Sequence, residues 1–582
     1  MARTSRIALA ALTALALAPG LITSHTAQAG TYNGSALTDF DRATPAGASV
    51  YLTVQSTSAS QGANLTRIGN ILGPKFAKAA NGELGGGSGS GGNGSSGGTA
   101  QYLTLINQFK LIFNGEYGVA LLSTDMGKGA ALPDLLLELG LQKGVTARSL
   151  VSELKLFGIT AKPAASYHGV ALQAVDLGAL TSMAGGLTGG TATPGKKGAA
   201  PPSYIGVLGN NAVIGTTLTA IKQAVDAYAG GAQSLSKSAN FAKTVGKLPK
   251  ERFLTTYFNV SNSAASSVSS ITGTSSACKP ASTAPGTFSV GFSMSAQPDG
   301  VLLSTSPVYT TGSLATSTAF KATSNGAVEL FPSTTLGFAS LGDPGAIIAQ
   351  AVKTLSQSGS LSSLNCGASD PLKAFTKATG LDLNKDVLSW MQGDLSVAVL
   401  PVGSAAAYKD KGDPLAYTSV VVALKVKNQA LAESKLTKIV AAGNAKSKKA
   451  ERVKVIVVKG PGGVPMHVAA NSPTGLGYAF YKGYLLLASS LPADLGVVQK
   501  GGGVSVPLNA ALKHFGSGPF SGSLYLDLTS LRALIEKAAG ATGTDMKTYN
   551  SSVKPLLEPF KTFSAVAFAN GSGTAEFIGI GK

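Results

Sequence analysis

The sequence predicts an α+β fold: a tandem duplication of an antiparallel sheet with helices packed on one face. Three observations predict it. Runs rich in β-branched and aromatic residues recur along the chain, separated mostly by short turn signals, as hairpins require. Helical segments are inserted between those runs. One ordered set of segments occurs twice, and such self-similarity decides the architecture before any single element does.

The first 29 residues form a signal peptide. Arg3 and Arg6 give a positive start with no acid, Ile7 to Ala18 form an apolar run, and Pro19-Gly20 stop it. Ala27-Gln28-Ala29 then supplies the small-x-small pattern of a signal peptidase site, which sets cleavage between Ala29 and Gly30. The apolar run is about twelve residues, where a membrane-spanning helix needs about twenty. No transmembrane anchor is therefore expected after cleavage.

The two copies are expected at 30–312 and 315–582. Phe113-Asn114-Gly115-Glu116-Tyr117-Gly118-Val119-Ala120-Leu121-Leu122 matches Met391-Gln392-Gly393-Asp394-Leu395-Ser396-Val397-Ala398-Val399-Leu400. In the same order, Tyr204 to Thr217 parallels Tyr478 to Ser490, and Ser234 to Phe241 parallels Ser505 to Leu512. Thr255 to Val260 parallels Ser523 to Leu528, and Phe288-Ser289 parallels Phe563-Ser564. The offsets run 278, 274, 271, 268 and 275, too nearly constant for chance. Pro45 ahead of Val50 to Val54 pairs with Pro332 ahead of Leu336 to Ala339 at offset 287, and the extra length falls at a Gly/Ser-rich insert, 82–98. A second low-complexity insert occupies 185–202. Neither insert has the apolar surface to offset the entropy of ordering it.

The second copy reads more plainly. Tyr417 to Val426 is a strand, Asn428 caps a helix over Gln429 to Ala442, and Gly443 stops it. Val453 to Val458 is an apolar strand, and two hairpin-like segments follow. A helical Asn509 to Phe515, the strand Leu524 to Leu528 and a helix through Ile535 lead to two final strands joined at Asn570-Gly571.

Composition and motifs bound the chemistry. Apolar residues make up 44% and charged residues 13%, which supplies ample core but a weakly charged surface. The net charge is +19, or +17 without the two signal arginines. Its one dense patch is Lys446, Lys448, Lys449, Arg452 and Lys454, read as a solvated loop and strand edge; a basic exported protein also suits an anionic envelope polymer. No nucleic-acid motif accompanies it. His168, His467 and His514 are the histidines beyond the signal. The first two are placed on strand-like runs, at equivalent points of the copies, and the third at a helix end. None has a carboxylate or Cys at short spacing, so no catalytic residue, cofactor or metal site is assigned. Glu116 and Asp394, beside Gly115 and Gly393, are read as turn residues of the two units. Cys278 and Cys366 are expected to form a disulfide stapling one copy to the other, the alternatives being an intermolecular bridge or two free thiols.

The stretch Leu381-Asp382-Leu383-Asn384-Lys385-Asp386-Val387-Leu388-Ser389-Trp390-Met391-Gln392-Gly393-Asp394 resembles the acid-rich turn, helix and strand entry of a bacterial exported family, the DUF3352-type proteins. Gly477 to Phe480, Ala488 to Ser490, and Tyr525 to Leu528 resemble its later segments, so the likeness is strongest over the second copy. The resemblance implies an extracytoplasmic location and carries over no catalytic residue. The expectation is a non-catalytic, secreted or envelope protein that binds or builds, with a lipid-like ligand in an apolar groove as one form. The alternative is an extracellular hydrolase whose site is assembled from distant residues.

Overall fold

A computed structural model describes residues 39–55, 59–84, 112–122, 134–156, 159–176, 202–260, 288–309, 322–346, 348–349, 375–377, 379–391, 393–401, 417–449, 452–470, 475–501, 503, 505–516, 519–541, 546–547, 549–569 and 573–581. The signal peptide with Ala29 and Gly30, Cys278, Cys366 and the turn at Asn570-Gly571 lie outside the described residues.

Among the described residues the first half supplies β1 (Val50–Val54), β2 (Phe113–Leu121), β3 (Leu135–Leu141), β4 (Ala161–Tyr167), β5 (Val170–Val175), β6 (Ser203–Leu208), β7 (Asn211–Gly215), β8 (Leu254–Val260), β9 (Phe288–Gln297) and β10 (Gly300–Tyr309). They lie side by side as β4-β5-β6-β7-β3-β2-β1-β8-β9-β10, each antiparallel to its neighbour. The second half supplies β11 (Gly337–Leu341), β12 (Leu395–Leu400), β13 (Ser419–Lys425), β14 (Val455–Lys459), β15 (Pro465–Ala469), β16 (Gly477–Tyr481), β17 (Tyr484–Ala488), β18 (Phe520–Asp527), β19 (Phe560–Phe568) and β20 (Thr574–Ile580). Their order is β14-β15-β16-β17-β13-β12-β11-β18-β19-β20, again antiparallel throughout.

The register aligns particular residues. Tyr51 lies between Ala120 and Tyr257, and Phe338 lies between Ala398 and Tyr525. Tyr257 and Tyr525 thus take the same place in the two pairings. At the β6–β7 hairpin Tyr204 faces Gly215, and at β16–β17 Gly477 faces Ala488, which moves that sequence match by one residue, from Tyr478 to Gly477. Both tight turns use left-handed backbone, Gly209 (φ 61°) in one and Lys482 and Gly483 (φ 49° and 79°) in the other.

Strands β10 and β20 pair from Gly300↔Gly579 to Thr305↔Thr574 and join the halves into one antiparallel sheet. Leu302 is buried at this seam against Phe515, Val566 and Phe577, and the Thr305 and Thr574 hydroxyls meet at 2.7 Å. An edge strand left alone is prone to stray pairing; the seam satisfies two edges with each other and leaves β4 and β14 as the outer ones.

Helices cover both faces of the sheet. They are α1 (Asp39–Ala43), α2 (Ala59–Leu84), α3 (Ala147–Leu156), α4 (Leu218–Ala229), α5 (Ala239–Val245), α6 (Gln429–Lys446), α7 (Leu491–Lys500), α8 (Ser505–Leu512), α9 (Leu528–Ala541) and α10 (Lys554–Leu557). Leu136 of β3 packs with Ile221 and Val225 of α4 and Phe241 of α5. Leu141 of the same strand packs with Leu150 and Leu154 of α3. The two leucines are an odd number of residues apart and so point to opposite faces. In β13, Val421 meets Leu495 and Val498 of α7, while Leu424 meets Ala432 of α6. The expectation of helices on one face is therefore corrected. Its physical reason was visible in β17, where Tyr484-Leu485-Leu486-Leu487-Ala488 is apolar on both faces, and both need cover.

Local chemistry sets the helix limits. Thr217 Oγ1 accepts from the Ala220 N–H at 3.0 Å to open α4, and Gly230 (φ 83°) closes it. Asn428 Oδ1 accepts from the Leu431 N–H at 3.0 Å to open α6, as expected. That helix continues past Gly443 to Lys446, because Asn444 fastens its last turn to Val453. Residues 82–84 of the first insert complete α2, and Leu528 opens α9 rather than ending β18. Among the described residues no helix is long and apolar enough to cross a membrane.

Candidate functional site

The two outer edges are built differently. Strand β4 carries Pro163, which has no N–H to offer, and its register shifts between Pro163 and Ala165. Both features block a further strand. Strand β14, Val455-Ile456-Val457-Val458-Lys459, has neither: it pairs with β15 residue for residue.

The direction of its backbone groups follows from two hydrogen bonds. The Ala470 N–H donates to the Lys454 carbonyl at 2.8 Å, and the Gly460 N–H donates to the Val464 carbonyl at 2.9 Å. Antiparallel bonding alternates along a strand, so Lys454, Ile456, Val458 and Gly460 bond inward to β15. Val455, Val457 and Lys459 turn their N–H and C=O outward. Asn444 closes the edge just ahead of them, its Nδ2 donating to the Val453 carbonyl at 2.8 Å and its Oδ1 accepting from the Val453 N–H at 2.7 Å. From Val455 onward the edge is open: among the described residues β14 pairs with β15 alone.

Side chains on both faces of this strand meet solvent. Val457 is 64% exposed, and Val455 and Ile456 are exposed on opposite faces. Lys448, Lys449, Arg452, Lys454 and Lys459 are exposed around them. The basic patch singled out in the sequence is therefore the approach to an apolar, open strand.

Helix α6 holds the hairpin in place, and Asp386 holds α6. Lys435 and Lys438 of that helix reach the Asp386 carboxylate at 3.0 and 2.7 Å. Hydrogen bonds from Lys438, the Asp382 N–H and Lys435 keep this carboxyl well below the ordinary carboxylate range. The Trp390 indole N–H donates to the Asp386 carbonyl at 3.1 Å, and its ring packs with Leu424 and Ala432. Asp386 and Trp390 thus anchor the helix that carries Asn444.

The histidines do have carboxylate partners, brought from distant elements. His168 Nε2 lies 3.3 Å from Asp226 of α4, His467 lies 3.4 Å from Glu433 of α6, and His514 lies 3.3 Å from Asp299 in the β9–β10 turn. His467 stacks on Tyr478 and His514 on Phe577. His168 is a turn residue (φ 47°) between β4 and β5, not a strand residue. The place that His467 takes opposite Tyr478 belongs in the first half to Gln173, opposite Ile205. The expected equivalence of the two histidines is thereby corrected. The three pairs occupy separate regions of the fold, and among the described residues no group of three His, Cys, Asp or Glu could hold a metal.

Glu116 acts locally, as a turn residue: around Gly115 (φ 90°) its N–H donates to Asn114 Oδ1 at 2.9 Å, and its carboxylate accepts from Asn114 Nδ2 at 3.0 Å. Asp394, beside Gly393 (φ 110°), reaches beyond its turn: it accepts from the Ser324 N–H at 2.8 Å and from the Ser324 hydroxyl, 70 residues away in the chain. Two other carboxyls were missed. Glu138 is fully buried on β3, accepts from the Thr44 hydroxyl at 2.9 Å, and is pushed well above the usual range by burial. Asp494 in α7 accepts from the Ser419 hydroxyl at 2.6 Å and the Ser490 N–H at 3.2 Å, and burial raises it to about 6. The signal for Glu138 was a lone charge inside a run of leucines.

The sequence profile of one family, described as a protein of unknown function (DUF3352), matches residues 114–577. The match runs from β2 to β20 and so takes in both halves and the seam, where the segment-by-segment likeness was strongest in the second. No curated protein and no solved structure matches the chain. The chain belongs to the DUF3352 family.

Proposed function

We propose that this chain is an exported, non-catalytic protein of the cell envelope or extracellular space, built by tandem duplication of one α+β unit, that acts by adding an extended polypeptide strand to β14. The observation that carries the binding reading is the contrast between the two outer edges. One is guarded by Pro163 and a bulge, and the other is straight, apolar and open. Strand addition gives affinity through main-chain hydrogen bonds and specificity through alternate side chains. Support for the duplication at 30–312 and 315–582 comes from the common strand order and from the shared places of Tyr257 and Tyr525. Support for export comes from the basic start, apolar run and Ala27-Gln28-Ala29.

Hydrogen exchange on the full-length mature protein tests the open edge. The amides of Val455 and Val457 are expected to exchange quickly, and those of Ile456 and Val458 slowly. Equal protection of all four amides would mean that the edge is already covered and would remove the reading. Mass analysis of the secreted protein tests export, with a mature N-terminus at Gly30 as the expected result; an intact Met1 would refute it.

A further inference from the structure

We infer that the strand β14 accepts is acidic, an extended segment of a partner protein with carboxylates spaced to meet Lys454 and Lys459. This inference rests on the reading of β14 as the binding edge. The two lysines bracket Val455 to Val458, and both are exposed. They are five positions apart, so by strand alternation they project to opposite faces. An incoming strand meets them with one acid on each face and β-branched residues between, which pack beside Val455, Ile456 and Val457. Lys448, Lys449 and Arg452 extend the positive field toward the chain that enters.

Two other occupants fit less well. A second copy paired through its own β14 brings two sets of lysines onto one short ladder, and like charges across a strand pair repel. A lipid surface offers nothing to the outward N–H groups of Val455 and Val457, and an unpaired backbone group in an apolar layer is costly. An acidic polypeptide satisfies the backbone, the apolar side chains and the charges together.

The test uses full-length mature protein and two labelled synthetic peptides, one with the core Glu-Val-Thr-Val-Thr-Glu and one with both Glu replaced by Gln. Fluorescence anisotropy is expected to show about tenfold tighter binding of the acidic peptide, from two cross-strand charge pairs. That preference should shrink as salt rises. In the Lys454→Glu, Lys459→Glu protein it should invert, with the Gln peptide binding better than the Glu peptide; these exposed positions leave the fold intact. Val457→Pro removes one outward N–H while sparing the bonds to β15, and is expected to weaken both peptides. Equal binding of the two peptides by the native protein would overturn the acidic inference and leave the edge reading standing. Failure of either peptide to bind, or binding indifferent to Val457→Pro in a protein of unchanged melting temperature, would overturn the edge reading itself. Tighter binding to phosphatidylglycerol vesicles than to the acidic peptide, or a dimer in sedimentation that Val457→Pro dissociates, would also overturn the inference.

Discussion

Tyr257→Ala is expected to lower the unfolding free energy by about 3–5 kcal/mol, read from denaturant midpoints at constant slope. Tyr257 is fully buried at the centre of the first half. Its ring meets Phe241 edge to face at 5.1 Å, and Phe241 meets Tyr51 in the same manner at 5.9 Å. Truncation removes the ring from water-excluded surroundings and opens a cavity that Tyr51 and Phe241, held by strand and helix, do not readily fill. Tyr525 sits at the matching place beside Phe338, in a core that includes Leu486 and Leu508. Tyr525→Ala is expected to cost a similar amount. Tyr257→Phe keeps the ring and is expected to cost about 1 kcal/mol or less. A loss near zero at Tyr525 beside a large loss at Tyr257 would mean that the common register does not carry common energetics.

What the sequence disclosed followed from range. Signals that act over a few residues were legible: the Asn428 cap, the helix it opens at Gln429, and the strand within Tyr417 to Val426. The collinear matches located Tyr257 and Tyr525 correctly in their strands, because each lies inside a run long enough to align. Contacts between distant elements were not legible. His467 finds Glu433, and His514 finds Asp299, only after the chain has crossed the sheet, so a search for carboxylates at short spacing misses both. The β10–β20 seam depends on two edges meeting, which no single segment encodes. The binding edge lay between these cases. Val453 to Val458 was read as an apolar strand and the neighbouring lysines as its solvated rim, but whether that strand lies inside the sheet or at its border depends on topology. The contrast with Pro163 emerges only once both borders are known.

Asp494→Asn is expected to stabilise the protein at pH 7 by about 1–3 kcal/mol and to leave it unchanged below about pH 4. Asp494 is 1% exposed, and burial raises its carboxyl from the ordinary 3.8 to about 6, against the lowering pull of the Ser419 hydroxyl and the Ser490 N–H. Between those two values the native state holds a proton that the unfolded chain has released. Stability therefore falls as pH rises through the window, by about 3 kcal/mol in all, and levels off above it. Below the window both states are protonated and nothing is lost. Asn has no charge to desolvate, and its oxygen can still accept from Ser419 and Ser490. Its amide N–H2 takes the place of the carboxyl oxygen that has no partner among the described residues, and this offsets part of the gain. Unfolding free energies of the native protein and the variant, measured from pH 3.5 to 7.5, should thus diverge through the window and run parallel on either side. A difference that stays constant across that range would show that burial does not govern this carboxyl, and that the link from Ser419 at the head of β13 to α7 is an ordinary hydrogen bond between ionised and neutral groups.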